Sequence, residues 1–306
     1  MGETCKRVLD AVRELGYAPN FGARALVAQQ TNTVGAVIPT MENAVFARGL
    51  QAFQEELGRL GKTLLVASSA YNPALDEEQV RALVARGADG VLLIGYDRSP
   101  ELYAFLAKRN VPVLVAWSFI EGHSIPAIGF DNRAAMAALA RLVLQKGQRH
   151  ITCISAPTDS NDRARGRVQG IWDAMEEAGL SAADLRTVEI PYGIQIGETA
   201  FRELLAVAPD TTAIMCVNDV LAFGALRAAR DMGLRVPEDV SITGFDDIEI
   251  AALSEPPLTT VHLPHRDMGR TAATMLIQML NEGPQGSKEL PTDIRLRQSL
   301  AAPRSN

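Results

Sequence analysis

Residues Val240 to Pro264 read VSITGFDDIEIAALSEPPLTTVHLP and open on a short β-branched run, Val240-Ser-Ile-Thr243. Where that strand ends, Gly244-Phe245-Asp246-Asp247 sets carboxylates at the junction of strand and loop. In an open α/β sheet the carboxyl ends of the strands are where ligands bind. The chain then passes Pro256-Pro257 into a second extended run, Leu258-Thr-Thr-Val261. A weaker echo lies upstream, Ala127-Ile-Gly-Phe-Asp131 followed by Asn132. Two strand-ended Gly-Phe-Asp units imply two similar lobes and a ligand-binding architecture.

Outward from this segment, apolar strand-like runs alternate with helical patterns. Strands are expected at 34–40, 63–68, 90–95, 111–117 and 127–131, then at 150–156, 187–192, 212–218 and 240–244. Helices are expected between them at 46–60, 75–86, 100–108, 132–144, 162–178, 199–206 and 219–232. Mostly apolar strands separated by helices make parallel sheets covered on both faces. A last helix, 266–280, and a strand-like run, 293–296, are free to return to either lobe. Ahead of all this, Thr4 to Leu15 forms an amphipathic helix with Val8, Leu9, Val12 and Leu15 on one face, and a shorter helical piece spans 20–29.

At 306 residues and 47% apolar, the chain buries a core large enough for two lobes. Charged residues or glycines interrupt every apolar run before the roughly 20 residues of a membrane span. The start, MGETCKRVLD, lacks the apolar core of a secretory signal, which points to the cytoplasm. Cys5, Cys153 and Cys216 are far apart and suit reduced thiols better than disulfides or a metal site. A net charge of −6 leaves any nucleic-acid contact to a local basic element.

Catalytic signatures are missing: there is no G-x-G-x-x-G, G-x-S-x-G or H-E-x-x-H. Gly61-Lys62-Thr63 resembles the end of a P-loop, but a helix runs into it where a P-loop needs a strand. The four histidines show no metal-ligand spacing, so neither metal nor cofactor is expected and the protein reads as a non-enzyme. What remains is polar groups at strand ends. Asn218-Asp219 closes one strand and Asp246-Asp247 another, while Asn161-Asp162 precedes a helix carrying Arg163 and Arg167. Those arginines, at i and i+4, share a helical face, and Arg165 points elsewhere. Guanidinium groups near a helix N-terminus suit an anion or a polyol hydroxyl. Asp219 and Asp247 fit helix capping as well as binding; Arg167, Asn218 and Asp246 favour binding.

The segments GYAPN…ARAL, GADGVLL, NDRARGRVQG, VNDVLAFGALRAARDMGLRVPEDVSITGFDD and PPLTTVHLPHRDMG together resemble the lactose-repressor/galactose-repressor family of bacterial transcription regulators. The likeness runs in order over nearly the whole chain. It implies a helix-turn-helix headpiece, a hinge helix and a two-lobed core like that of periplasmic sugar-binding proteins. Such a core closes on a small-molecule effector, and homodimers bind palindromic operator DNA. By this resemblance residues 5–15 are the third headpiece helix and 23–26 the hinge helix, with Arg24 and Leu26 at the DNA and Leu26 wedging the minor groove. The chain begins after the recognition helix, so by itself it is expected to bind operator poorly.

The resemblance also assigns the effector site. Arg167, Asn218 and Asp246 match core ligand positions, Asn161 and Arg163 line the same pocket, and Tyr192 stacks on the ligand. Asn43, Phe46 and Trp117 come from the other lobe. Many sugar-responsive members carry a carboxylate near the position of Trp117, so the aromatic there points away from a plain hexose. Arg163 beside Arg167 favours an anionic effector, a sugar acid or sugar phosphate. Residues 1–33 are the headpiece remnant, 34–131 with 262–291 the first lobe, and 132–261 with 292–306 the second. The rival readings are a periplasmic sugar-binding protein, which would need a signal peptide, and an enzyme using Asp246 or Asp247 as base, which lacks a partnered nucleophile or metal.

Overall fold

The structure, a computed structural model, describes residues 3–15, 31–42, 44–181 and 184–304. The N-terminal helix α1 spans Glu3–Glu14. Arg24, Leu26 and Asn43, and the helical piece expected over 20–29, lie outside the described residues.

Two six-stranded sheets follow. The first has the order β11-β5-β4-β3-β1-β2, from β1 (Thr33–Ile38), β2 (Thr63–Ser68), β3 (Gly90–Ile94), β4 (Val113–Ala116), β5 (Ala127–Gly129) and β11 (Lys288–Glu289). All its pairings are parallel. The second runs β12-β10-β9-β8-β6-β7, from β6 (Ile151–Ser155), β7 (Arg186–Glu189), β8 (Ala213–Cys216), β9 (Ser241–Asp246), β10 (Thr259–His262) and β12 (Asp293–Arg295). Here β12 pairs antiparallel to β10, the exception to the parallel sheets expected. The central strands are apolar along their whole length because helices cover both faces; β1, β3, β4, β6 and β8 are buried throughout.

The first sheet carries α2 (Ala47–Arg59), α3 (Pro73–Ala85) and α4 (Pro100–Lys108). The second carries α5 (Asn132–Gln145), α6 (Asp162–Glu177), α7 (Ile194–Val207) and α8 (Asp219–Asp231). Helix α9 (His265–Glu282) leaves β10 of the second sheet and packs against α2 on the first. The fit is close. A Cβ on Gly269 would stand 1.9 Å from the carbonyl oxygen of Gly49, so two glycines let the helices touch backbone to backbone. The chain thus passes between the sheets after β5, after β10 and between β11 and β12.

The first Gly-Phe-Asp unit sits at the passage after β5 and the second at the end of β9, one strand before the passage after β10, and each glycine is there because something crosses it. A Cβ at Gly129 would lie 2.6 Å from the backbone of Ser118, and one at Gly244 would lie 2.2 Å from the Asp219 carboxylate. The two phenylalanines, Phe130 and Phe245, meet with ring centroids 6.1 Å apart. The two aspartates diverge in role. Asp131 caps α5, accepting from the amides of Arg133 and Ala134, while Asp246 faces the space between the lobes.

Candidate functional site

Strand ends and first helical turns of both sheets converge on one cleft, lined by Val45, Phe46, Tyr71, Trp117, Arg163, Arg167, Tyr192, Asn218 and Asp246. Seven of the residues singled out from sequence are thereby brought together. Asn161 stands just behind: its carbonyl caps α6 through the amide of Ala164, and its amide donates to the Tyr192 hydroxyl at 3.3 Å. The space enclosed is only about 10 Å3, room for about one water molecule.

The apolar wall is built from aromatic pairs. Phe46, which precedes α2, meets Trp117 edge-on at 5.4 Å, and Tyr71 lies against Tyr192 at 5.0 Å across the lobes. Trp117 has room because Gly49 faces it: a Cβ there would come within 2.5 Å of the indole. Three cleft residues hold left-handed or otherwise positive φ without being glycine, namely Tyr71 (57°), Trp117 (60°) and Asp246 (112°). Such strain persists where the surroundings over-determine it, and it gathers at binding sites.

The polar floor is a network around Arg167. Its guanidinium donates to the Asn132 side chain at 2.9 Å and the Val217 carbonyl at 2.6 Å, and reaches Asp246 Oδ1 at 3.5 Å. Its face lies 3.7 Å from the Phe245 ring centroid. Asn132 in turn donates to the Trp117 carbonyl at 3.1 Å, so one buried amide at the β5–α5 passage ties the tryptophan of the first lobe to the arginine of the second. Arg163 donates to Asp162 at 3.0 Å and to the Ile94 carbonyl at 2.9 Å. Each arginine therefore faces an aspartate. The pair does not present two free positive charges to a ligand, as the i, i+4 spacing alone suggested.

Asn218 lines the cleft and also caps α8 through the Leu221 amide at 2.9 Å. Asp219 does neither of the things expected of it. Its carboxylate is buried and accepts from the Ile248 amide at 2.9 Å and the Thr260 hydroxyl at 2.6 Å, stapling β10 and the 248 turn to α8. Asp247 likewise caps no helix; it pairs with His262 at 2.7 Å and Arg297 at 2.6 Å.

Burial pushes the Asp246 carboxyl up to about 6, against the opposing pull of Arg167 and Arg163. Behind it, His265 bonds the Asp246 carbonyl through Nε2 at 2.8 Å, and burial lowers its pKa to about 4. Two buried atoms on the cleft residues, Asp246 Oδ2 and Trp117 Nε1, meet no hydrogen-bond partner among the described residues. A ligand that donates to the first and accepts from the second satisfies both, which is the chemistry of a hydroxyl-bearing molecule against aromatic walls.

Residues 140–300 match the model of a periplasmic-binding-protein-like domain family. The chain is 31% identical over 304 residues to the HTH-type transcriptional repressor PurR of Salmonella newport, covering 98% of this chain and 89% of that one. Among solved structures, the transcription regulator GntR of Chromobacterium violaceum is 32% identical with a TM-score of 0.81, over 88% of this chain and 99% of the other. A LacI family transcriptional regulator of Enterococcus faecium, solved with bound ribose, is 25% identical with a TM-score of 0.78, over 88% and 99%.

Proposed function

Because this chain belongs to the LacI/GalR family of transcriptional regulators and carries their periplasmic-binding-protein-like core, we propose that the cleft binds a sugar or sugar acid that controls a repressor. The observation that carries this reading is the pair of unpartnered buried atoms, Asp246 Oδ2 and Trp117 Nε1, set among aromatic rings where the two lobes meet. The ribose in the E. faecium relative supports the same class of ligand. Arg167, Asn218 and Asp246 hold hydroxyls, Phe46, Trp117 and Tyr192 stack on the ring, and Arg163 and Asn161 border the ligand. Asn43 and the DNA contacts of Arg24 and Leu26 complete the assignment.

The strand allocation of the two sheets supports lobes of 34–131 with 262–291 and 132–261 with 292–306, and the family likeness supports reading residues 1–33 as headpiece and hinge. The effector acts by population shift: whichever lobe arrangement it binds better becomes the majority, and the change reaches operator DNA through the hinge. The regulator works in the cytoplasm as a homodimer; the exposed Ile250 and Leu253 on the second lobe support a partner there. No helix among the described residues is long and apolar enough to cross a membrane.

The test is a thermal-shift panel of neutral sugars, sugar acids, sugar phosphates and purines. A true effector at a hundredfold excess over its dissociation constant stabilises the fold by roughly 2.7 kcal/mol. That shift is expected to vanish in Asp246→Asn and Arg167→Ala. A shift with acids alone makes the effector an anionic sugar derivative. A shift from purines alone, or one that survives both substitutions, overturns the sugar reading.

A further inference from the structure

Beside the cleft, the lobes grip each other directly, on one short turn of the first lobe that shares only Arg163 with the effector reading. Residues Gly95–Arg98 follow β3 of the first sheet and meet the first turn of α6 from the second. Three interactions cross there. Arg163 donates to the Ile94 carbonyl at 2.9 Å, the Asp162 carboxylate accepts from the Tyr96 amide at 3.0 Å, and Arg165 donates to Asp97 at 2.7 Å. Asp162 and Arg163 are also paired to each other, and both side chains are buried.

The turn is held ready from its own side. Arg98 donates to the Gly95 carbonyl at 2.7 Å and clasps the Asp76 carboxylate with two bonds, at 2.7 and 3.2 Å. Gly95 itself is left-handed, with φ +72°, and a Cβ on it would stand 1.9 Å from Arg163 Nη1 and 2.2 Å from Asp162 Oδ1. The seat accepts the helix only because that residue has no side chain. The Asp162 and Arg163 contacts are charge-assisted and buried, which makes them the stronger ones, whereas Arg165–Asp97 is half-exposed; together they close a cleft that leaves about 10 Å3 inside.

We propose that the Gly95–Arg98 turn and the first turn of α6 form a latch that holds the lobes closed without any effector. The free protein then rests on the closed side of its equilibrium, and a ligand larger than a water molecule enters only after the latch has opened. Affinity measured from outside includes that opening step. The proposal is independent of what the effector is.

Small-angle scattering of the full chain, with no small molecule added, reads the lobe arrangement directly. The wild-type curve is expected to match a dimer of the closed structure. Gly95→Ala drives a methyl into the seat, and Asp162→Ala removes the central acceptor without straining the backbone; both are expected to increase the radius of gyration while keeping one cooperative unfolding transition. If Gly95→Ala fails to fold, Asp162→Ala decides, with Arg163→Met as its replacement should it also unfold. A wild-type curve that fits only an opened molecule overturns the latch. So does a folded latch variant whose curve superimposes on wild type.

Discussion

His265 and Asp246 touch, are both buried, and are displaced in pKa in opposite senses, so their effects on stability oppose each other over nearly one pH window. For His265 the folded pKa, about 4, lies below its ordinary value near 6.5. As pH falls through that interval the unfolded chain takes a proton that the folded one refuses, and stability is lost toward pH 4. For Asp246 the folded pKa, about 6, lies above its ordinary value near 3.8. Its stabilising effect is fully present below pH 4 and is lost as pH rises to 6. At 1.36 kcal/mol per pH unit each effect is worth about 3 kcal/mol. Wild type should therefore show little net slope from this pair. His265→Gln retains a donor for the Asp246 carbonyl and removes the titration. Urea unfolding at intervals from pH 4 to 7 should then show stability relative to wild type falling with rising pH. Asp246→Asn should show the opposite trend. Difference profiles that are flat for both variants, or that share one sign, refute the reasoning.

The remaining expectations are local. Gly269→Ala should lower stability by about 1–3 kcal/mol despite the better helix former, because the methyl meets the Gly49 carbonyl across the α2–α9 contact; the thermal midpoint reads it. Asn218→Ala removes the cap of α8 and should cost about 1 kcal/mol in denaturant unfolding, besides weakening any effector's thermal shift. Leu253→Asp, at a side chain 81% exposed, should leave the fold intact and convert the proposed homodimer to monomer in sedimentation; an unchanged sedimentation coefficient places the interface elsewhere.

The alternation of strands and helices was legible because burial on both faces writes itself as unbroken apolar runs. The face shared by Arg163 and Arg167 followed from helical period alone, and both do line the cleft. Tyr71 was not legible. It follows β2 in the polar run SSAYN, and it reaches the cleft only because Ala70 and Tyr71 both turn left-handed, which no side-chain pattern announces. Asn132 was read as part of an echo, yet its amide connects Trp117 to Arg167, a link set by the passage between sheets. Strand β11 escaped because its two residues, Lys288 and Glu289, are exposed at a sheet edge and carry no apolar signal. The first turn of α7 escaped too, since Ile194 and Ile196 are β-branched and exposed behind Gly193. Asp219 was misjudged because two capping residues stand side by side, and only the fold shows that Asn218 takes the cap.

The passages between the sheets also bear on how the chain is made. Its first sheet begins at Thr33, but the helix that covers α2 starts at His265 and the strand that borders β5 lies at Lys288–Glu289. A ribosome has therefore synthesised almost the entire polypeptide before that lobe has its full complement of elements. Until then the β5 edge and the α2 surface are bare, and unpaired edges and apolar faces are what nascent chains aggregate through. Shortening the protein from its C-terminus, even by the few dozen residues from α9 onward, is thus a lesion to the N-terminal half, and it should yield insoluble protein rather than a smaller functional module.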